Sequence, residues 1–138
     1  MIVIDASIAL AWVFSDEGNE ETQAILDQVG EHGASVPPLW ALEVANALLM
    51  AERRSRLSRA AVEENLSLLA ALDLAIADLP TAEPWKPALL LARAHGLTVY
   101  DAAYLDLAVR LKLPLATLDK ELRQAAVALN VPVLPEPI

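Results

Sequence analysis

The chain has 138 residues, 56% of them hydrophobic, and a formal net charge of −9. That length suits one domain with one sizeable core, so 1–138 reads as a single unit. It contains no cysteine, which excludes disulfides, thiolate catalysis and zinc–cysteine sites. No apolar run is long enough to span a bilayer. The apolar start has no basic residue ahead of it and is interrupted by Asp5, which argues against a signal peptide. The expectation is a cytoplasmic protein with no membrane association.

Ile2-Val3-Ile4 reads as a short buried strand that breaks at Asp5-Ala6-Ser7 into a helix over Ile8–Phe14. Asp16–Asn19 is a loop, Glu20–His32 a helix stopped by Gly33, and Ala34–Val36 a second strand closed by Pro37-Pro38. Leu39–Arg53 reads as a helix with Pro38 suited to its first turn. A further helix runs to about Leu72, with Ser58 as its cap and Leu57 and Val62 placed as a hydrophobic staple. Leu74–Leu79 fits a third strand, Pro84–His95 a helix ended by Gly96, and Tyr100–Leu111 another helix. Pro114–Thr117 is a fourth strand, Lys120–Leu129 the last helix, and Val131–Leu134 a fifth strand. Short apolar strands alternating with helices imply α/β architecture, with a parallel sheet covered on both faces.

Four acidic residues stand out against this frame. In open α/β sheets, ligands bind beyond the carboxyl ends of the strands. Asp5 follows the first strand and Asp119 the fourth, so both belong at that edge. Asp101 lies in the first turn of a helix, in a Thr98–Asp101 pattern that matches a capping box, and faces the same edge. Each aspartate also has a plain capping role. Glu43 differs. It and Asn46 are the only polar residues between Leu39 and Ala51, and three positions place them about 60° apart on one face. A helix apolar nearly all round is buried, and a buried carboxylate needs a cation or a hydrogen-bond network. Asp106, about 140° round the helix from Asp101, faces elsewhere and reads as a solvated or partner-facing residue.

Oxygen-only donors suit Mg²⁺ or Mn²⁺, and such a site suits phosphodiester hydrolysis. Ser7 and Thr117 are positioned to hydrogen-bond Asp5 and Asp119, or to cap their helices. The sequence has no GxSxG elbow and no phosphate-cradling glycine loop. Its two histidines occur as His32-Gly33 and His95-Gly96, where they read as helix-end residues. The acidic balance argues against nucleic acid. Metal neutralisation weakens that objection, as does the cluster Arg53, Arg54, Arg56 and Arg59, a candidate contact for RNA phosphates or a solvated helix end.

Four segments carry a family resemblance: Ile2–Ser7, Pro37–Leu48, Leu97–Leu105 and Leu115–Asp119. In order and spacing the chain resembles PIN-domain ribonucleases, and among them the VapC-type toxins of toxin–antitoxin pairs, over essentially its whole length. The resemblance implies an α/β/α sandwich on a five-stranded parallel sheet. It also implies Mg²⁺- or Mn²⁺-dependent endonucleolytic cleavage of RNA, leaving 5′-phosphate and 3′-hydroxyl ends. Asp5 and Asp101 would be the direct metal ligands, with Glu43 and Asp119 completing the site and Asn46 in its surroundings. A homodimer and a small cognate antitoxin are implied as partners.

Two other readings compete. A non-catalytic PIN-fold binding module has no reason to keep Glu43 on an apolar helix. A receiver-like phospho-acceptor domain would want paired acids after the first strand, where Asp5 stands alone, and Asp78 is poorly placed to serve after the third. The Ala/Leu-rich helices, with Trp12, Trp40 and Trp85, are candidate surfaces for a partner, although most of those residues should be core.

Overall fold

The structure, a computed structural model, describes residues 1–79 and 82–137. The strands are β1 (Ile2–Ile4), β2 (Ala34–Val36), β3 (Leu74–Ile76), β4 (Leu115–Ala116) and β5 (Val133–Leu134). The helices are α1 (Ala6–Val13), α2 (Glu20–His32), α3 (Leu39–Arg53), α4 (Arg59–Ala70), α5 (Lys86–His95), α6 (Val99–Leu111) and α7 (Lys120–Ala128). All strand pairs are parallel, in the order β3-β2-β1-β4-β5. Helices α1 to α4 pack among themselves, as do α5 to α7. Right-handed crossovers then set the two groups on opposite faces, making an α/β/α sandwich.

The strand order reverses between β1 and β4. The chain steps outward from β1 through β2 to β3, then returns to start β4 on the other side of β1. Ile4 pairs with Ala116, so the residues just beyond them emerge side by side. This is the topological switch point, where α/β sheets open a crevice.

The core is built from β1, β2 and β4 with Ile8, Val29, Leu48, Tyr104, Leu105 and Leu122. Local rules set the helix ends. Asn19 and Thr22 form a reciprocal capping box at α2, and Ser58 caps α4 through the Ala61 N–H at 3.1 Å. Gly96 closes α5 in the left-handed region at φ 66°.

Three expected strands are shorter than their apolar runs. β3 is an edge strand with Ala75 and Ile76 exposed, and its ladder ends with the Ala77 N–H bonded to Val36 O at 2.9 Å. β4 spans only Leu115–Ala116 of the expected 114–117. β5 starts late because the Val131 N–H closes onto Ala126 O at the end of α7 and Pro132 has no N–H to donate. α5 begins at Lys86 rather than Pro84, with Pro87 in its first turn.

Two expectations require correction. α3 is not buried all round: Trp40, Val44, Leu48 and Ala51 face the core, while Leu42 is 75% exposed and Ala41, Asn46 and Leu49 also meet solvent. The helix buried on every side is α6, continuously from Ala102 to Ala108. Asp106 lies within that run and is not solvated; only 8% of it is exposed, and it accepts from Arg110 Nε at 2.8 Å one turn on. An i,i+4 Asp–Arg pair was readable in the sequence and accounts for its burial.

Candidate active site

Asp5 is the most enclosed of the four acids, at 4% exposed. It follows β1 without a spacer and caps α1, accepting from the Ile8 N–H at 3.2 Å and the Ser7 hydroxyl at 2.6 Å. Its second oxygen accepts from Thr117, the residue that β4 delivers beside it. Trp40 Nε1 on α3 donates to the Asp5 carbonyl at 3.3 Å. Burial raises the Asp5 pKa, and the Ser7, Thr117 and Ile8 donors oppose that rise.

The β4–α7 junction is built as a relay. The Leu118 N–H donates to Ser7 Oγ at 2.9 Å and the Asp119 N–H to Thr117 Oγ1 at 3.0 Å. Asp119 caps α7 by accepting from the Glu121 N–H at 3.0 Å. Arg123, one turn into α7, holds the Thr117 and Pro135 carbonyls at 2.9 and 2.5 Å. Ser7 and Thr117 therefore act between the two strand ends as well as on their own helices.

Asp101 enters from α6, where Thr98 caps the helix through the Asp101 N–H at 3.0 Å. Its carboxyl lies close enough to Asp119 to feel that charge, and among the described residues it does not close the capping box onto Thr98. Burial, then the proximity and charge of Asp119, and the charges of Asp5 and Glu43 push its pKa up to about 6. Glu43, partly buried on α3, accepts from the Tyr104 phenol at 2.5 Å. Burial and that carboxylate raise the Tyr104 pKa, so the phenol stays a donor. Tyr104 was missed in the sequence, although it stands one turn after Asp101 on the same helix.

The other candidates fall outside this group. Asn46 is exposed one turn beyond Glu43 and makes no hydrogen bond to the four acids among the described residues. The arginine cluster sits at the far end of α3, about 15 Å along the helix from Glu43. There Arg56 is already engaged: it stacks on Phe14 at 4.2 Å and pairs with Asp16 at 2.8 Å. Arg53, Arg54 and Arg59 are exposed. Trp40 is core, Trp12 donates to the Thr22 carbonyl at 2.9 Å, and Trp85 is 63% exposed.

The donors at the crevice are all oxygens, and their charges converge on Asp101. Among the described residues no three of His, Cys, Asp and Glu stand close enough to ligate one ion together. Mg²⁺ needs only one or two direct carboxylates and keeps several waters, so the donor chemistry fits a hard, partly hydrated divalent ion.

The fold is an open parallel α/β domain with four carboxylates gathered near its switch point. The PIN domain family matches residues 2–128. "Ribonuclease VapC3" of Pyrobaculum aerophilum is 36% identical over 131 residues, covering 95% of this chain and 98% of that protein. This chain belongs to the PIN domain family. The crystal structure of PAE2754 from Pyrobaculum aerophilum superposes with a TM-score of 0.70 at 27% identity, over 90% of this chain and 83% of that one. FitAcB from Neisseria gonorrhoeae gives a TM-score of 0.63 at 21% identity over 96% of each chain, a likeness of fold alone.

Proposed function

We propose that the protein is a Mg²⁺- or Mn²⁺-dependent endoribonuclease and the toxin of a toxin–antitoxin pair. The observation that carries this reading is the gathering of Asp5, Glu43, Asp101 and Asp119 at one end of the sheet, near enough that the charges of the other three bear on Asp101. The acids come from four separate elements, and the like charges around Asp101 disfavour its ionisation, a cost that a bound cation would offset. Relatedness to a VapC ribonuclease supports the activity and the toxin role.

In this reading Asp5 and Asp101 hold the ion, and Glu43 and Asp119 orient the attacking water and accept its proton. When bound, the ion supplies positive charge to the phosphodiester and makes water more acidic. The water oxygen bonds to phosphorus as the bond to the 3′ oxygen breaks, and the leaving oxygen takes up a proton. The products carry 5′-phosphate and 3′-hydroxyl ends. Ser7 and Thr117 orient Asp5 and favour its ionised form against the effect of burial by donating to it. Exposed Arg53, Arg54 and Arg59 contact phosphates of the strand beyond the cleavage site.

The exposed apolar side chains Leu42, Leu68 and Ile76 are a partner surface, suited to the antitoxin or to a second copy of the chain. Among the described residues no helix is long and apolar enough to cross a membrane. The deciding experiment is cleavage of total RNA by the purified chain with Mg²⁺, Mn²⁺ or EDTA, beside Asp5→Asn. Discrete metal-dependent products lost in Asp5→Asn are expected; folded protein that cuts no RNA with either metal would overturn the reading.

A further inference from the structure

Two aromatic side chains set the position of Glu43, one by anchoring its helix and one by bonding its carboxylate. Trp40, one turn before it on α3, is 6% exposed and donates its indole N–H to the Asp5 carbonyl at 3.3 Å. That bond fixes the start of α3 against the end of β1. Tyr104, only 1% exposed, reaches from α6 and donates to Glu43 Oε1 at 2.5 Å. The bond joins helices from the two layers across the carboxyl edge of the sheet. It occupies one carboxylate oxygen, while Oε2 takes no hydrogen bond from the protein among the described residues. A glutamate has three rotatable bonds, and a single anchored oxygen removes most of that freedom.

We propose that Tyr104 is the positioning residue of this site, holding Glu43 by Oε1 so that Oε2 is presented to the reacting water. The proposal rests on the nuclease reading above. The phenol acts through Glu43 and contacts neither substrate nor ion. Removing its oxygen should therefore slow turnover without weakening RNA binding.

Tyr104→Phe keeps the buried ring and deletes only the hydroxyl. The expected result is a kcat lower by about tenfold or more, with KM for RNA within about twofold and Mn²⁺ affinity by calorimetry unchanged. In a Glu43→Gln background the same substitution should cost almost nothing further. A second readout does not depend on activity or on Tyr104→Phe folding. The chain has two tyrosines, Tyr100 and Tyr104, so protein labelled with 3-fluorotyrosine gives two fluorine resonances, assigned through Tyr100→Phe. Glu43→Gln should shift the Tyr104 resonance and leave that of Tyr100 in place.

If the wild type cleaves RNA, Asp5→Asn does not, and Tyr104→Phe keeps the wild-type kcat, the positioning role alone is overturned. An unmoved Tyr104 resonance in Glu43→Gln overturns it as well. If the wild type itself cuts no RNA with either metal, the nuclease reading fails and this role falls with it.

Discussion

Thr117 joins Asp5 to Asp119 through one hydroxyl: it donates to the Asp5 carboxylate and accepts from the Asp119 N–H at 3.0 Å. The residue is fully buried, so neither bond has water as a substitute. Thr117→Val keeps the shape and removes both. It should lower stability by about 1–3 kcal/mol and RNA cleavage by about 10–100-fold. Urea denaturation and a cleavage assay on the same preparation check this. Full activity in the variant would show that the strand ends hold the two acids without the hydroxyl.

The metal-free protein should lose stability as pH rises. The Asp101 pKa lies near 6 in the folded chain, against an ordinary 3.8, so between those values the native state binds more protons than the unfolded state. Stability then falls with increasing pH through that window, and the raised pKa of Asp5 acts in the same direction. With EDTA present, the denaturation midpoint should be higher at pH 4.5 than at pH 7.5. Asp101→Asn should flatten the profile, and Mg²⁺ should restore stability at the higher pH. A midpoint that climbs from 4.5 to 7.5 in EDTA would contradict the assignment of Asp101.

Arg123 fastens the Thr117 and Pro135 carbonyls from α7. Arg123→Met keeps the aliphatic stem and removes the fork. Two hydrogen bonds to a charged donor should cost about 1.5–3 kcal/mol in all, with a fall in kcat as the Asp119 junction loosens. Thermal denaturation and kinetics measure the two effects. Lower stability with unchanged kcat would confine the arginine to a structural role.

The arginines at the end of α3 should divide by role. Arg53→Gln and Arg54→Gln should raise KM and leave kcat alone. Each should also flatten the plot of log binding constant against log salt by about 0.7 for every phosphate it ceases to neutralise. Arg56→Met should affect stability only, by less than about 1 kcal/mol, because its ion pairs are largely solvated. Salt-dependent binding isotherms separate these cases. An Arg56→Met variant that binds RNA as weakly as Arg53→Gln would reverse the division.

Most of the fold was legible because its signals are local. Asn19, Ser58, Thr98 and Asp119 cap the helices that they precede, and glycines close α2 and α5. The meeting of Asp5 with Thr117 was partly legible, since both follow short apolar strands, but their adjacency depends on β4 lying beside β1. No local pattern encodes that order. Burial was read least well. α3 and α6 are both rich in Ala and Leu, yet one exposes Leu42 and the other buries Asp106, because the sheet and α5 surround α6. The bond from Tyr104 to Glu43 spans 61 residues, and its donor looked like any other core aromatic.

Asp5 leaves β1 with no intervening residue, and Thr117–Asp119 leave β4 with no slack. These are the two strands on either side of the reversal, enclosed by neighbours on both edges. The amides that pin the site, those of Val3, Asp5 and Thr117, should accordingly be among the last to exchange with solvent deuterium. Partial openings at the exposed margin of β3 would pass without disturbing the acids. A fluctuation that separates Asp5 from Thr117 must part the sheet at its centre, so the lifetime of that pairing is tied to the lifetime of the folded chain.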